Sequence, residues 1–203
     1  MAGPDENETI EDQTIEDEDW YGEELVERAY TGCTFSRVDL TEAVCRNSVF
    51  TECAFDNVRF NASRHVDTAY LRCTFQRCRF FEAGFTGCKL VGSVFTDCES
   101  LRPLRIEGGD WSFVELREAD LRGISVRGVR MREVDLTGAD CTGAVLADVD
   151  LSGAQLRGAR FDRCDLRGSD LTALDPRSAS LLDAVITAEQ AVVVAQALGL
   201  EIR

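Results

Sequence analysis

Apolar residues recur at every fifth position over a long stretch of the chain. From Ile106 to Leu171, each of the fourteen residues in this register is apolar. The residue two positions before each of them is nearly always small or β-branched, and the remaining three positions are mostly polar. This period is neither the alternation of a strand nor the period of about 3.6 residues of an amphipathic helix. It indicates a solenoid whose chain turns inward twice in every repeat.

A square coil with one pentapeptide on each side satisfies this pattern. The apolar residue and the small residue of each repeat would point to the axis, and the other three positions would face water. Four sides make a coil of about 20 residues, and neighbouring coils would stack at about 4.8 Å, the spacing of adjacent strands. The sequence therefore predicts an all-β solenoid in which residues four repeats apart lie in one column.

The same period is present in an earlier block that is rich in phenylalanine and ends at Phe95. Its aromatic rings would fill a wider axis and stack from coil to coil. Between Phe95 and Leu101 the register slips by one residue, and Pro103 follows. We expect a bulge within residues 96–103, because one inserted residue interrupts a ladder of paired strands. The predicted solenoid spans residues 31–186.

Charge is distributed unevenly along the chain. The formal net charge is −15, yet residues 1–27 contain 12 Asp and Glu residues and no Lys or Arg, so the remainder is only slightly acidic. Residues 1–19 are too polar to bury much apolar surface, which predicts a disordered acidic tail. Trp20 and Tyr21 bring the first large apolar groups, and residues 20–30 are predicted to form an N-terminal cap over the first coil.

The acidity also bears on partners and location. Nucleic acids and anionic membranes repel a negative protein, so neither is an expected partner, whereas a basic protein surface is. The N-terminus lacks the basic residues and apolar core of a signal peptide. The longest apolar run near the C-terminus, residues 191–195, is too short to span a membrane. We therefore expect a cytoplasmic protein.

The nine cysteines all fall on the two inward positions of the repeat, seven on the small position and two on the central one. A buried cysteine behaves as a small apolar residue, so free buried thiols are expected rather than disulfides or a metal site. The single histidine, His65, also occupies a central position, which favours a core residue. The sequence contains no P-loop, GxSxG or HExxH motif. We expect no enzyme activity, no metal and no cofactor.

An apolar helix is predicted at the C-terminal end, within residues 187–203. Thr187 and Gln190 have the spacing of a capping box and Gly199 provides a stop signal, so the helix should span about residues 188–198. Its polar residues, Gln190 among them, occupy one narrow arc. The surplus of apolar surface predicts a symmetric tail-to-tail homodimer. The predicted interface residues are Ala191, Val192, Val194, Ala195 and Leu198.

Acidic residues recur at the outward position just before the central residue in the second block. Grouped by side of the coil, in steps of four repeats, they form columns along the predicted solenoid, whereas the same position in the first block is mostly neutral or basic. Two compatible interpretations remain open. The aspartates can cap tight turns through hydrogen bonds to the backbone. Their charges can also form a straight anionic track that fits a basic groove.

Several strings of the sequence resemble those of a known family. DLSGAQLRGARF and CDLRGSDL resemble the pentapeptide-repeat consensus A(D/N)LXX, and the resemblance extends over about residues 31–186. The slip with LRPL and the closing string DAVITAEQAVVVAQALGL resemble the fluoroquinolone-resistance pentapeptide proteins of mycobacteria. The resemblance implies a right-handed quadrilateral β-helix with a short C-terminal α-helix. It further implies a dimer that is joined through this helix, mimics DNA in shape and charge, and binds DNA gyrase.

Carried over by position, the resemblance suggests six acidic residues near the dimer centre as the gyrase contacts. They are Asp110, Glu115, Asp135, Asp150, Asp170 and Asp175. The resulting hypothesis is a DNA mimic that inhibits gyrase, protects it from fluoroquinolones or other gyrase poisons, or does both. The alternative is a pentapeptide-repeat scaffold that binds another protein and whose acidity only keeps it soluble. An enzyme is a third alternative, disfavoured because the sequence lacks a catalytic set.

Overall fold

Every strand of the structure is short, because one side of a coil accommodates only one pentapeptide. The structure, a computed structural model, describes residues 9–98 and 101–202. The strands are β1 (Thr9–Glu11), β2 (Thr14–Glu16), β3 (Glu24–Val26), β4 (Ala29–Thr31), β5 (Thr34–Ser36), β6 (Val44–Arg46), β7 (Val49–Thr51), β8 (Ala54–Asp56), β9 (Arg64–Val66), β10 (Ala69–Leu71), β11 (Thr74–Gln76), β12 (Gly84–Thr86), β13 (Val94–Thr96), β14 (Arg105–Glu107), β15 (Ser125–Arg127) and β16 (Val145–Ala147). One helix, α1 (Ala188–Ala197), follows them.

The strands stack into three parallel sheets that form three sides of the coil. Their orders are β1-β4-β7-β10, β13-β11-β8-β5-β2 and β16-β15-β14-β12-β9-β6-β3. The fourth side is held by single parallel bridges, such as those joining Asp19, Asp39 and Arg59. The predicted fold, a quadrilateral β-helix with a short C-terminal helix, is confirmed.

The pairing register gives the length of each coil. Tyr30 pairs with Phe50, and Phe50 with Tyr70, so one coil takes four pentapeptides. The register changes once across the slip, where Phe85 pairs with Ile106 and the coil is one residue longer. Beyond it, Ile106 pairs with Val126 and the step returns to four pentapeptides. The extra residue expected between Phe95 and Leu101 is therefore accommodated without breaking the ladder.

The central residues form a continuous core along the axis. In the first block, aromatic rings of successive coils lie face to face, with ring centroids 4.8 Å apart for Phe35 and Phe55 and 4.9 Å for Phe55 and Phe75. Rings on neighbouring sides meet edge to face, an arrangement that favours aromatic packing. Trp111 closes the aromatic block by stacking on Phe95, and mostly aliphatic side chains, with Phe161 among them, fill the axis beyond it.

The chain turns many corners with a residue in the left-handed region of backbone space. In the first block this residue is often charged, as at Asp12 (φ 50°) and Arg72 (φ 53°), whereas the second block mostly uses glycine, as at Gly168 (φ 76°). A side chain in this conformation costs about 1 kcal/mol. Hydrogen bonds between coils offset the cost, because corner N–H groups pair with the next coil; that of Asp12 donates to the Thr31 carbonyl at 2.9 Å.

The solenoid begins earlier than the sequence analysis predicted. Ile10 pairs with Tyr30 and Ile15 pairs with Phe35, so both belong to a regular first coil. The prediction of a disordered tail is therefore wrong for residues 9–19, and the prediction of a separate cap at residues 20–30 is wrong as well. Residues 1–8, the rest of the predicted tail, lie outside the described residues.

High charge does not prevent order here, because each repeat needs only one or two inward side chains. The central register continues upstream through Ile10, Ile15, Trp20 and Leu25. All nine Asp and Glu residues of residues 9–27 occupy exposed positions. The five-residue period was thus the better guide to order in this segment than its composition.

Helix α1 closes the C-terminal end of the solenoid and has the predicted capping box. The Thr187 hydroxyl accepts from the Gln190 N–H at 3.3 Å, and the Gln190 side chain accepts from the Thr187 N–H at 2.7 Å. The Gln190 side-chain amide also donates to the carbonyls of Leu166 and Ser169, both at 2.7 Å. Gln190 is the most buried residue of the helix, so its amide faces the last coil rather than solvent.

Candidate acidic surface and C-terminal apolar patch

The six acidic residues predicted as partner contacts lie on two neighbouring sides of the solenoid. Asp110 and Asp150 flank Arg130 in one ladder of bridges, and Asp170 continues the column through its N–H, which donates to the Val149 carbonyl at 2.9 Å. Glu115 and Asp135 pair on the next side. Asp175 follows one repeat after Asp170. The structure therefore brings the predicted residues into columns, as a step of four repeats requires.

Each of the five aspartates in this group caps the turn that follows it. One carboxylate oxygen accepts the N–H two residues later, at distances between 2.9 and 3.1 Å. Asp120, Asp140 and Asp165, on the other sides, accept in the same way. The turn-capping interpretation therefore describes the aspartates on every side. The second carboxylate oxygen remains for another partner.

Arginines occupy that second oxygen in part of the surface. Asp110 contacts Arg130 at 3.0 Å, and Asp150 contacts Arg132 at 2.6 Å. Both arginines are more than half exposed, and such surface pairs contribute about 0–1 kcal/mol to stability. They lower the net charge of the column but leave the carboxylates at the surface.

The environment of these carboxylates favours the ionised form. Burial tends to raise the pKa of Asp110, but hydrogen bonds from Ser112 and the charge of Arg130 outweigh it, so the pKa lies below its usual value. Hydrogen bonds from Ser152 lower the pKa of Asp150, and Arg132 acts in the same direction. Both side chains therefore stay negative well below neutral pH.

Asp135 does not fit the predicted role. It is only 4% exposed, and its carboxylate is held by the Thr137 N–H at 2.9 Å and by Arg117 at 2.6 Å. A partner could not contact this side chain without displacing Arg117. The outward position of the repeat indicated exposure, but the sequence could not show that an arginine of the preceding coil lies across the carboxylate.

The first coil carries the densest negative charge in the described residues. Residues 9–27 contain nine Asp and Glu residues and no basic residue. Arg37, on the second coil, reaches two of them, Glu16 at 2.5 Å and Asp17 at 2.7 Å. This surface was not predicted, because most of the segment was expected to be a disordered tail, although Ile10 and Ile15 stand in the register of the central residues.

The C-terminal end exposes an apolar patch that only partly matches the predicted dimer interface. Val192 and Leu198 are both 40% exposed, and Ala191 is exposed as well. Val194 instead packs against the core of its own chain, and Ala195 is partly buried. Two of the five predicted interface residues are therefore turned at least partly inward.

Four exposed apolar residues that were not predicted extend this patch. They are Leu182, Val185, Leu200 and Ile202, with exposures of 68%, 46%, 59% and 52%. A signal was present for two of them, because Leu182 and Val185 flank central residues at outward positions where the repeats usually have polar side chains. We call these four residues, with Val192 and Leu198, the C-terminal patch.

Comparisons with known proteins agree with this architecture. A family model described as pentapeptide repeats matches residues 31–64, 115–153 and 135–172, with eight copies. Over these residues the chain consists of pentapeptide repeats. Pentapeptide repeat protein MfpA of Mycobacterium tuberculosis (strain ATCC 25618 / H37Rv) is 38% identical over 106 residues, which are 52% of this chain and 57% of that protein. The match thus spans little more than half the length of either protein.

Solved structures of one plasmid-mediated fluoroquinolone resistance protein match nearly the whole chain. Trypsin-treated QnrB1, described as a plasmid-mediated fluoroquinolone resistance protein, aligns with a TM-score of 0.86 over 97% of this chain and 98% of that one, at 19% identity. Full-length QnrB1 aligns with a TM-score of 0.68 over 95% of this chain and 100% of that one, also at 19% identity. At these identities the likeness shows the fold alone.

His65 is a core residue of the solenoid. Its ring stacks on Phe85 with centroids 4.5 Å apart, and its two nitrogens lie 2.8 Å from the Ser63 hydroxyl and 2.9 Å from the Tyr70 hydroxyl. Burial lowers the pKa of His65 to about 3, so the ring is neutral at physiological pH. Enclosed in this way, it has no access to a substrate.

The nine cysteines are all free, and eight of them are buried; Cys98 is partly exposed. Their positions follow the repeat register as predicted. Within residues 9–98 and 101–202, no group of three or more His, Cys, Asp or Glu side chains is arranged to hold a metal ion. Over the same residues, no helix has the length and apolarity needed to cross a bilayer.

Proposed function

We propose that this protein is a DNA mimic that binds the basic DNA-binding saddle of DNA gyrase and competes with DNA there. The observation that carries the proposal is the set of outward carboxylates repeated at a step of four repeats along a continuously packed solenoid. The proposal is also supported by the fold shared with QnrB1, a plasmid-mediated fluoroquinolone resistance protein. Inhibition of gyrase, protection from fluoroquinolones or other gyrase poisons, or both would follow from such competition.

The charge density of the solenoid can be compared with that of DNA. B-DNA carries about one negative charge per 1.7 Å of axis, or roughly three in the rise of about 4.8 Å between neighbouring coils. Residues 9–27, about one coil, exceed this density with nine carboxylates. Residues 101–202 hold 17 Asp and Glu residues against 12 Arg residues, a net charge of −5. The first coil therefore exceeds DNA in negative charge per coil, whereas the second block, with roughly one net negative charge per coil, falls below it.

This comparison refines the proposed contact surface. Asp110, Glu115, Asp150, Asp170 and Asp175 remain the proposed contacts of the second block, and the first coil adds a stronger anionic surface at the far end. Asp135 is left out because it is buried. A basic groove would meet separated rows of carboxylates rather than a uniform field.

A supercoiling assay with charge-neutralised variants tests the proposal. Asp110→Asn, Asp150→Asn and Asp170→Asn together remove three charges from one column, while the amide oxygen of each asparagine can still cap its turn. We expect at least a tenfold loss of gyrase inhibition. The matched control is the triple Asn variant of Asp120, Asp140 and Asp165, which removes three charges from other sides and should change inhibition by less than about twofold.

Two outcomes of this assay would contradict the proposal. The first is that the wild-type protein leaves gyrase supercoiling unchanged at micromolar concentration, with and without a fluoroquinolone. The second is that both triple variants inhibit as well as the wild type, which would leave the column aspartates with turn capping alone. Either result would favour the alternative of a scaffold for another protein. That alternative is supported by the arginine pairing of Asp110 and Asp150.

The proposed functional unit is a homodimer joined through the C-terminal patch. Exposed apolar surface of this kind is costly in water, and a second copy of the same surface would bury it symmetrically. Such a dimer would double the length of the anionic rod and place the first coils at its two tips. It would also be a binding protein of the cytoplasm, where gyrase acts, rather than an enzyme.

Sedimentation of two matched double variants tests the dimer. Leu182→Glu with Leu200→Glu places two charges in the C-terminal patch and should yield monomers. Phe81→Glu with Phe113→Glu alters aromatic residues that are similarly exposed, at 49% and 52%, but lie outside the patch, and it should leave the dimer intact. A dimer that persists in the first variant, or dissociates equally in both, would contradict the assignment of the interface.

A further inference from the structure

Cys98 differs from the other cysteines in its access to solvent. The other eight are buried, whereas Cys98 is partly exposed at the last regular repeat before the register slip. A surface groove of about 510 Å³ opens beside it, lined in part by Phe95 and Leu101. A dissolved reagent of modest size can therefore reach this thiol from the surface.

Cys78 lies directly next to Cys98 in the adjacent coil. Phe75 pairs with Phe95, and Gln76 with Thr96, so the two cysteines occupy the same inward position in successive coils. Both thiols donate to backbone carbonyls in the same way, Cys78 to Phe55 at 3.3 Å and Cys98 to Phe75 at 3.4 Å. Adjacent strands lie about 4.8 Å apart, inside the range of about 4.4–6.8 Å between α-carbons that a disulfide can bridge.

The two thiols have different acidities. The neighbouring Cys78 side chain lowers the pKa of Cys98, whereas burial raises the pKa of Cys78. Cys53 and Cys73 form a similar stacked pair, in which a hydrogen bond from Cys73 lowers the pKa of Cys53, but both of those residues are buried. Solvent access is therefore what separates the two pairs.

The charge around the groove selects the class of oxidant. Four carboxylates line it, from Asp97, Glu115, Glu118 and Asp120, against one guanidinium, that of Arg117, so its lining is net negative. These charges disfavour the approach of anionic disulfides such as oxidised glutathione, because like charges repel. Hydrogen peroxide and small organic hydroperoxides are uncharged and small enough to enter.

We infer that Cys78 and Cys98 form a redox-active thiol pair that uncharged hydroperoxides oxidise to an intramolecular disulfide. The Cys98 sulfur attacks the peroxide and the O–O bond breaks; the thiol proton leaves with the released alcohol or water, and Cys98 becomes a sulfenic acid. Cys78 then attacks the Cys98 sulfur, the S–O bond breaks, and hydroxide leaves as water with the Cys78 proton. Two thiols and one hydroperoxide thus give one disulfide, one alcohol or water, and one further water. The two sulfur atoms supply the two electrons that reduce the peroxide.

Peptide mapping after mild oxidation tests the inference. The reduced protein is treated with an equimolar amount of hydrogen peroxide, alkylated and digested without reductant. We expect the loss of two free thiols and a disulfide-linked peptide pair containing Cys78 and Cys98. In the Cys78→Ser variant, dimedone should instead trap a sulfenic acid on Cys98. The Cys73→Ser variant is the matched control and should form the same disulfide as the wild type.

Three outcomes of these oxidation experiments would contradict the inference. The inference fails if the wild type keeps all nine thiols, if the Cys53–Cys73 pair is oxidised instead, or if Cys98→Ser loses thiols as fast as the wild type. Because a cysteine variant could misfold, a second measurement uses only the wild-type protein. Cys98 should be the first thiol alkylated by a limiting amount of N-ethylmaleimide under native conditions, and preferential labelling of any other cysteine would overturn the proposal.

Discussion

Gln190 provides the sharpest test of how the solenoid is closed at its C-terminal end. A stack of coils ends in backbone carbonyls that have no following coil to pair with. The Gln190 side chain donates to such a carbonyl at Ser169 and also to the Leu166 carbonyl, which accepts the Ser169 N–H as well. Its oxygen accepts from the Thr187 N–H, and all three bonds of the Gln190 side chain measure 2.7 Å. One side chain thus joins the helix start to the last coil through three hydrogen bonds.

The expected cost of replacing Gln190 by alanine follows from these three bonds. A hydrogen bond contributes about 1 kcal/mol net, and a buried group left unpaired costs about 1–3 kcal/mol. Gln190 is 8% exposed, but Thr187 lies nearer the surface, so water can replace the hydrogen bond that the Thr187 N–H loses. We expect Gln190→Ala to lower the free energy of unfolding of the C-terminal end by about 2–4 kcal/mol.

Gln196→Ala is the matched control because it makes the same substitution on an exposed position of the same helix. Alanine is a slightly better helix former than glutamine, so this variant should be neutral or marginally more stable. The measurement is amide hydrogen exchange at one protein concentration, which resolves the last coil and α1 from the rest of a solenoid whose coils unfold semi-independently. If both variants exchange alike, to within about 0.5 kcal/mol, Gln190 does not close the end and the reasoning is refuted.

Two further predictions concern the core. A β-carbon at Gly109 (φ 87°) would lie 2.8 Å from the Cys88 nitrogen and closer still to the Cys88 carbonyl oxygen, so Gly109→Ala should lower the free energy of unfolding by more than about 3 kcal/mol. Gly22→Ala is the control, because a β-carbon there would have no atom within 4 Å, and it should cost about 1 kcal/mol. Equal losses for the two variants in thermal unfolding would contradict the packing argument. Burial lowers the pKa of His65 to about 3, whereas an unfolded histidine titrates near about 6.5, so the unfolded chain binds the proton first. Stability is therefore complete above about pH 6.5 and should fall by up to about 1.4 kcal/mol per pH unit as the pH drops toward 3. In a urea series at pH 4.5–6.5, His65→Phe should flatten this slope, and an unchanged slope would refute a buried neutral imidazole.

Much of the fold could be predicted because the repeat assigns an orientation to every residue in register. It placed nine cysteines and His65 inside, of which all but Cys98 are buried, assigned the slip between Phe95 and Leu101, and located the capping box of Thr187 and Gln190. In each case the inference needed only a residue's position within its pentapeptide. The inward or outward orientation of a residue was sufficient to predict its burial, because each coil is covered by the next in the same way along the whole axis.

The errors arose where the outcome depends on neighbours in another coil. Asp135 occupies an outward position but is covered by Arg117, and the bonds of the Gln190 side chain to the last coil were not predicted at all. The long flexible side chains of arginine and glutamine can reach several partners, and the repeat register does not select among them. The error at residues 9–30 was different, because there a composition argument was given more weight than a register that was already visible.

The sequence by itself determined the coil, its step of four repeats, the identity of its core and the outward position of its acids, because a five-residue period leaves one side of each repeat facing the axis. Only the tertiary structure decided which carboxylates are paired, which apolar groups at the C-terminal end stay uncovered, and which thiol reaches the surface. Those outcomes depend on contacts between successive coils and at the ends of the stack. The five-residue period does not determine which side chains meet in those contacts.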